Sequence, residues 1–152
     1  MQKIDRVDAN ITAALLKIDG FNLILPQGEI RTLESSTDVD THSPVLKSTG
    51  WVDYANKRWP VYCLTEELIL LENIPPQRSV CALLGMGAGY IGIMCDDMTV
   101  LKDVAAQRYE LPVAMRLPGS PILYLVNYEQ GIACVSNARQ ITAYVERLVL
   151  NA

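Results

Sequence analysis

The chain has 152 residues, of which 50% are hydrophobic and 20% are charged, and its formal net charge is −4. This is enough apolar material for a full core, so wholesale disorder is excluded. Lys and Arg form no cluster of the kind that nucleic-acid binders place against phosphates, so nucleic acid is not expected as a partner.

Hydropathy gives no sign of a targeting or membrane segment. Charged residues interrupt the first eight positions before any apolar stretch begins, so no signal peptide is expected. The longest uncharged run, 79–95, contains four glycines and is too short to span a bilayer comfortably. We therefore expect a cytoplasmic protein without membrane insertion.

Short β-type runs separated by turn residues dominate the beginning of the chain. Residues 11–18 and 21–26 are predicted strands joined by the turn Asp19-Gly20, because Asp-Gly between apolar runs is a strong hairpin signal. Residues 30–34 form a third predicted strand, and the polar segment 35–43 is expected to be a loop.

A second hairpin and a short helix are predicted before the midpoint of the chain. Residues 50–54 and 58–64 have the pattern of strands, and they are linked by residues 55–57, whose asparagine tolerates a left-handed backbone conformation. Thr65 is expected to cap a short helix over residues 66–71, with two glutamates in its first turn.

The second half repeats this style and ends in a helix. Predicted strands cover 80–84, 90–95, 100–104, 122–126 and 132–135, with a glycine turn at 85–89 and a hairpin loop at 127–131. Ser136 is expected to cap a C-terminal helix on which Ile141, Val145 and Leu148 share one face. Regular short strands with local turns favour β-barrels over a parallel α/β sheet.

The four cysteines, at positions 63, 81, 95 and 134, lack the CxxC spacing of zinc and redox motifs. Apolar residues neighbour each of them, so we expect four reduced, buried thiols that pack as small hydrophobes. One alternative stays open. If residues 85–89 form a turn, Cys81 and Cys95 lie nearly opposite on paired strands and could form a bridge on oxidation.

No arrangement of residues predicts an active site. The segment 87–92 fits the GxGxxG pattern of dinucleotide sites, but a strand is expected after it where a helix is needed, so a hairpin turn is favoured. His42 is the single histidine, and it lies in a polar loop. Asp96 and Asp97 point to opposite faces if they lie on a strand, and at a strand end they are expected to satisfy turn amides. We predict no enzyme activity, no cofactor and no metal site.

Four aromatic residues, Trp51, Tyr54, Trp59 and Tyr62, fall within twelve positions. Tryptophan and tyrosine are favoured anchors of protein interfaces, and core packing inside a barrel is the alternative explanation. Both explanations hold if one face of the hairpin points inward and the other faces a partner.

The segment from Gly50 to Leu64 resembles the signature of CheW-like domains, the coupling proteins of bacterial chemotaxis. In that family the segment has glycine, two apolar residues, asparagine, an apolar residue, arginine, glycine, three mostly apolar positions, proline, two apolar residues, aspartate and leucine. The spacing from Gly50 to Pro60 and on to Leu64 is retained. Further similar segments follow in the family's order: Leu25-Pro26, Glu29-Ile30, Gly92 to Asp96 and Ile132 to Ser136. The likeness covers roughly residues 11–145.

The resemblance implies an all-β (mainly β) fold of two interlocked five-stranded SH3-like barrels, with a short mid-chain helix and a C-terminal helix at 136–150. A single domain would span residues 1–152, with a first barrel at about 20–75 and a second at about 80–135 that exchange strands. The resemblance also implies a non-enzymatic adaptor. Such a protein links a methyl-accepting chemoreceptor to the regulatory domain of a chemotaxis-type histidine kinase, in chemotaxis or in type IV pilus twitching.

The signature departs from the family at several positions. Asp53, Ala55 and Asn56 stand where the family has asparagine, arginine and glycine, and Cys63 stands where aspartate is common. Alanine cannot replace the planar, five-donor guanidinium of the missing arginine. A divergent coupling protein therefore fits better than a general one. The alternative is a barrel module that binds another protein or a small ligand and has lost the coupling role.

The predicted interface is the hairpin around this segment. Its aromatic anchor is whichever of the two tryptophans points outward, and its cations supply charge complementarity. The predicted interface residues are Trp51, Asp53, Tyr54, Asn56, Lys57, Arg58 and Trp59.

Overall fold

A computed structural model describes residues 3–6, 12–45, 47–86, 89–102, 107–112, 119–129 and 131–151. Within these ranges the chain is built of β-strands with one α-helix. The strands are β1 (Lys3–Arg6), β2 (Ala13–Ile18), β3 (Phe21–Pro26), β4 (Ile30–Ser35), β5 (Gly50–Tyr54), β6 (Lys57–Leu64), β7 (Leu70–Leu71), β8 (Val80–Met86), β9 (Gly89–Cys95), β10 (Asp97–Leu101), β11 (Gln107–Tyr109), β12 (Tyr124–Tyr128) and β13 (Gly131–Val135), and the helix is α1 (Ala138–Leu150). Single 3-10 turns cover Gln27–Glu29 and Ser36–Asp38. The predicted mainly β class is confirmed.

The first sheet joins strands from the beginning and the end of the chain. Its order is β1-β11-β12-β13-β3-β2-β10. Neighbouring strands are antiparallel except for β13 and β3, which run parallel with Cys134 opposite Leu23 and Val135 opposite Ile24. This parallel pair connects two segments that are far apart in sequence.

The second sheet is built from the middle of the chain. Its order is β4-β8-β9-β6-β5, with β7 paired to β6, and the β6–β9 pair is parallel with Val61 opposite Gly92. Both sheets are curled, as the two-barrel prediction requires. The barrel limits predicted at about 20–75 and 80–135, with exchanged strands, stay a prediction. The parallel long-range pairs that complete the two sheets have no local turn signal in the sequence.

The described residues form three hydrophobic clusters. The first-sheet cluster contains Ala13, Leu15, Ile24, Val126, Ala133 and Val135. The second-sheet cluster contains Val39, Val52, Trp59, Val61, Cys63, Cys81, Leu83 and Met94. The largest, which we call the shared cluster, includes Leu16 of the first sheet, Leu84 of the second and Ile141 of the helix. Because strand neighbours point to opposite faces, Leu15 and Leu16 enter different clusters, and the shared cluster holds the two sheets together.

The predicted helix over residues 66–71 is wrong. Thr65 does act as a local cap, since its Oγ1 accepts hydrogen bonds from the backbone N–H groups of Glu67 and Ile69 at 3.2 and 3.1 Å. However, Leu68 has a left-handed φ of 63°, which ends the turn, and Leu70–Leu71 pairs with β6 as strand β7. A capping signal does not form a helix where the apolar residues that follow pair with a sheet.

The C-terminal helix begins two residues later than predicted. Its cap is Asn137, whose side chain accepts a hydrogen bond from the Gln140 N–H at 2.8 Å. The Ser136 hydroxyl instead donates to the Pro121 carbonyl at 2.6 Å. The predicted apolar face is confirmed, because Ile141 and Val145 are buried in the shared cluster and Leu148 packs against it.

Three predicted hairpins are present in the structure, and the turn at 127–131 is shorter than predicted. Asp19 and Gly20 both have positive φ, at 51° and 85°, as a two-residue turn needs. Tyr128 lies opposite Gly131, so the loop predicted at 127–131 is mostly strand. Met86 lies opposite Gly89, and strand β9 begins at Gly89 within the GxGxxG segment, which confirms a hairpin there; residues 87–88 themselves lie outside the described residues.

All four cysteines are free and buried, as predicted. The bridge between Cys81 and Cys95 is excluded by the register of the β8–β9 pair. Cys81 lies opposite Met94, and Cys95 lies opposite Val80. The two thiols therefore point to opposite faces, one into the second-sheet cluster and the other into the shared cluster.

Burial keeps these thiols protonated and should make them unreactive. It raises the pKa of Cys63 and of Cys134 to about 11 and the pKa of Cys95 to about 12. We expect no labelling by Ellman's reagent at pH 8 in the folded protein and labelling of all four thiols in urea, because the thiolate is the nucleophile. Labelling of one thiol in the folded protein as fast as in urea would contradict this.

The same shifts give a pH dependence of stability. Since the folded state raises these pKa values above 9.0, their ordinary value, it holds the thiol protons more tightly than the unfolded state does. This contribution is fully present below pH 9 and is lost as the pH rises towards 12. The melting temperature should therefore fall steadily above pH 9, as measured by circular dichroism.

Candidate interaction surface

The predicted interface is the hairpin of strands β5 and β6, which a two-residue turn connects. Asp53 lies opposite Arg58 and Tyr54 opposite Lys57, so the turn consists of Ala55 and Asn56. Both turn residues have left-handed backbones, with φ of 51° and 60°. Two positive φ values define the type I′ turn that matches strand twist, so Asn56 occupies a conformation that asparagine tolerates well.

The outward face of this hairpin carries a small network of charges. The Arg58 Nε lies 3.4 Å from Asp53 Oδ1, and its Nη2 lies 3.8 Å from Asp40 Oδ2. The guanidinium carbon of Arg58 lies 5.6 Å from the centre of the Trp51 ring, within cation–π range. The Arg58 side chain is 55% exposed and that of Asp53 is 77% exposed, so solvent and a partner can reach both.

Asp40 belongs to this surface although it lies in the preceding loop. Its backbone exchanges hydrogen bonds with Trp51 in both directions, at 2.8 and 2.9 Å, and Asp40 Oδ1 accepts from the His42 N–H at 2.9 Å. The hydrogen bond from the His42 backbone, followed by the contact with the His42 ring, lowers the pKa of Asp40 below its usual range. The Asp40 carboxylate is therefore ionised at neutral pH. His42 is highly exposed, at 95% of its side-chain surface, as its predicted place in a polar loop suggests.

Gly50 makes this contact between loop and strand possible. A Cβ at this position would meet the Asp40 carbonyl oxygen and lie 2.9 Å from the Val39 Cγ1. The indole N–H of Trp51 donates to the Ser43 carbonyl at 3.1 Å, which holds the loop further along. The tryptophan is thus fixed in place while its ring stays partly exposed.

The two tryptophans lie on opposite faces. Trp59 is 5% exposed, packs in the second-sheet cluster and donates its indole N–H to the Tyr54 carbonyl at 2.9 Å. Its ring contacts Tyr54 and Tyr90 edge-on, with centroids 5.9 and 5.2 Å apart. Lys57 Nζ lies 5.0 Å from the Tyr90 ring centre. Of the two candidate anchors, Trp51 is therefore the one that reaches the surface.

Sequence reasoning placed seven residues in this hairpin and missed two neighbours. Trp51, Asp53 and Arg58 share the outward face, while Tyr54, Lys57 and Trp59 lie on the other face and Asn56 lies at the tip. Asp40 and Tyr90 were not predicted. Neither residue carries a local signal, because Asp40 sits in a polar loop and Tyr90 is on a strand more than thirty residues away.

The structure shows no basis for a metal centre within its described residues, where no group of three or more His, Cys, Asp or Glu side chains comes together. Among the same residues, no helix is long and apolar enough to cross a membrane. Asp96 accepts a hydrogen bond from the turn amide of Asp19 at 3.0 Å, as predicted, whereas Asp97 accepts from the Met98 N–H at 2.8 Å within strand β10.

The fold is similar to that of a known scaffolding protein. The crystal structure of the scaffolding protein TtCheW from Thermoanaerobacter tengcongensis matches with a TM-score of 0.62 at 10% sequence identity, covering 84% of this chain and 88% of that one. No protein-family model matches the sequence, and no curated protein matches it. At this identity the likeness shows the fold alone, and it confirms the CheW-like fold that the signature around Gly50 predicted.

Proposed function

We propose that the chain is a non-enzymatic adaptor of the cytoplasm that links a chemoreceptor to a chemotaxis-type histidine kinase, in chemotaxis or in type IV pilus twitching. The observation that carries this proposal is the two-barrel fold, which the chain shares with a CheW scaffolding protein over most of both lengths. The order and spacing of the signature segments from Gly50 to Leu64 support the same function.

The outward face of the β5–β6 hairpin is the proposed contact surface for one of these partners. It combines an aromatic ring held by Ser43 with a charged network of Asp40, Asp53 and Arg58. A fixed ring loses little conformational entropy on binding, and charges at the rim steer association. Trp59 supports this proposed contact surface indirectly, since its side chain packs beneath the hairpin in the second-sheet cluster.

The direct test is calorimetric titration of the purified chain against the regulatory domain of its host's chemotaxis-type kinase, repeated with a receptor tip fragment. Micromolar binding to either partner supports the adaptor function and shows which contact has survived the changes at Asp53 and Ala55. Absence of binding to both would mean that the fold persists without the coupling role.

Arg58→Glu should weaken binding of whichever partner is found by about tenfold, without unfolding the hairpin. The new carboxylate would face Asp40 and Asp53, so the surface changes from a mixed to an acidic one. Exposed ion pairs contribute about 0–1 kcal/mol to stability, so the melting temperature should change little. The matched control is Lys17→Glu, an equal change of charge at an exposed position of the first sheet. Unaltered titration curves for Arg58→Glu would remove the hairpin from the interface.

A further inference from the structure

A groove opens in the first sheet where β3 and β13 separate. The two strands are parallel neighbours at Ile24 and Val135, and the Ser136 N–H still donates to the Ile24 carbonyl at 3.0 Å. Beyond this point β3 continues into the 3-10 turn that holds Glu29, and β13 continues into α1. The space left between them has a volume of about 220 Å³.

The walls of this groove are largely apolar. Ala13, Ile24, Val126 and Val135 line it, and all four belong to the first-sheet cluster. Leu123 forms part of the rim and is 44% exposed, which is high for a large hydrophobic side chain. An apolar cavity of roughly 150 Å³ is enough to hold a benzene ring, so this groove has room for a ring with a short side chain.

Glu29 is the one charged residue among the described residues that line the groove. One of its carboxylate oxygens, Oε1, accepts a hydrogen bond from the Ala138 N–H at 2.6 Å. Over the described part of the chain, no Lys, Arg or His lies within ion-pair distance of Glu29. One oxygen of the Glu29 carboxylate is thus bound by the Ala138 N–H in the first turn of α1. Among the described residues, no side-chain cation neutralises the charge of this carboxylate.

Two other side-chain oxygens at this end of the groove, those of Ser136 and Asn137, already have a hydrogen-bond partner within the protein. The Ser136 hydroxyl donates to the Pro121 carbonyl, and the Asn137 side chain accepts from the Gln140 N–H. For an incoming cationic donor, the Glu29 carboxylate is therefore the main acceptor in the described lining of the groove. A carboxylate prefers a cationic donor, because hydrogen bonds between charged groups are stronger than those between neutral ones.

We propose that this groove binds a small organic cation with an apolar body, of the arylalkylamine class. The apolar body lies against Ile24, Val126 and Val135, and the ammonium group donates to Glu29. The site is on the first sheet, whereas the proposed protein-binding hairpin is on the second, so the proposal does not depend on the adaptor function.

The test uses three probes of nearly equal size: 2-phenylethylamine, 2-phenylethanol and 3-phenylpropionate. Each is titrated into the isotope-labelled full chain, and the amide resonances of Ile24, Leu123 and Val135 are followed by NMR. We expect the amine to bind with a millimolar dissociation constant, as suits a ligand of its size, and the alcohol to bind about fivefold more weakly. The carboxylate should bind most weakly of the three.

Two variants distinguish the carboxylate from the apolar walls. Glu29→Gln keeps an oxygen that can accept from the Ala138 N–H, so the fold is retained, but the amine and the alcohol should then bind equally. Leu123→Ser should weaken all three probes. The matched control Ile132→Ser changes another exposed hydrophobic residue, at 48% exposure, which lies outside the groove, and it should have no effect.

Three results would overturn the proposal. The first is an absence of shifts at the groove residues at about 20 mM amine, well above the expected dissociation constant. The second is an unchanged preference for the amine in Glu29→Gln. The third is equal weakening by Leu123→Ser and Ile132→Ser, which would show non-specific binding to exposed hydrophobic residues.

Discussion

Asp96→Asn is expected to lower the free energy of unfolding by about 3 kcal/mol. The Arg78 side chain is 1% exposed, and its Nε lies 3.0 Å from Asp96 Oδ1 in an ion pair. Its Nη1 also donates to the Met94 carbonyl at 3.4 Å. Without the carboxylate the guanidinium would remain buried and uncompensated. The value lies at the lower end of the range for breaking a buried pair, because the Asp96 side chain keeps 26% of its exposure.

The neighbouring residue provides the control for this substitution. Asp97→Asn makes the same change at an exposed carboxylate that accepts from the Met98 N–H, and it should cost about 0.5 kcal/mol or less. Urea denaturation measures both effects. The double variant Arg78→Met with Asp96→Asn should be more stable than Asp96→Asn alone, since it also removes the buried charge. Equal stability of these two variants would show that the ion pair does not cause the loss.

Gly92→Ala is expected to cost about 2–3 kcal/mol, because the middle of the second sheet has no room for a methyl group. An added Cβ would lie 2.9 Å from Cys81 Sγ, 3.0 Å from Leu83 Cδ2 and 3.1 Å from Val61 Cγ2. All three side chains are fully buried, and Gly92 lies opposite both Leu83 and Val61 on the flanking strands. Relief would require these side chains or the strands to move apart.

Gly28→Ala is the matched control, since nothing lies within 4 Å of a Cβ at that position. It should leave stability unchanged or raise it slightly by reducing the freedom of the unfolded chain. Combining Gly92→Ala with Cys81→Ala removes the sulfur that the new methyl group meets. The double variant should therefore lose less stability than the sum of the two single variants, and strict additivity would argue against crowding as the cause.

The hairpins could be predicted from the sequence because their information is local. The Asp19-Gly20 turn and the turn at Asn56 both use residues that tolerate positive φ, and the structure places both in that conformation. The helix predicted after Thr65 failed for the opposite reason. Its cap is present, but pairing of Leu70–Leu71 with β6 outweighs a weak local preference.

The composition of the two sheets could not be predicted in this way. Their assembly depends on the parallel pairs β6–β9 and β3–β13, which no turn connects. The exposed tryptophan was also undecided, because alternation along a strand does not show which face is buried, and a one-residue difference in turn length decides whether Trp51 and Trp59 share a face. The hairpin of the candidate surface could be predicted from the sequence. The contribution of Asp40 could not, because no sequence pattern shows which residues lie near a carboxylate in a loop.

The way the sheets divide the chain has a consequence for its synthesis. Every strand of the second sheet lies between Ile30 and Cys95, so this sheet can pair fully once that stretch has left the ribosome. The first sheet needs β3 beside β13, and β13 ends at Val135. Until then, β3 can pair with β2 but lacks its other neighbour, β13, so the apolar side chains of this hairpin stay without their full packing. The nascent chain should thus complete its middle before its ends, with β2 and β3 as the segments most in need of protection from aggregation.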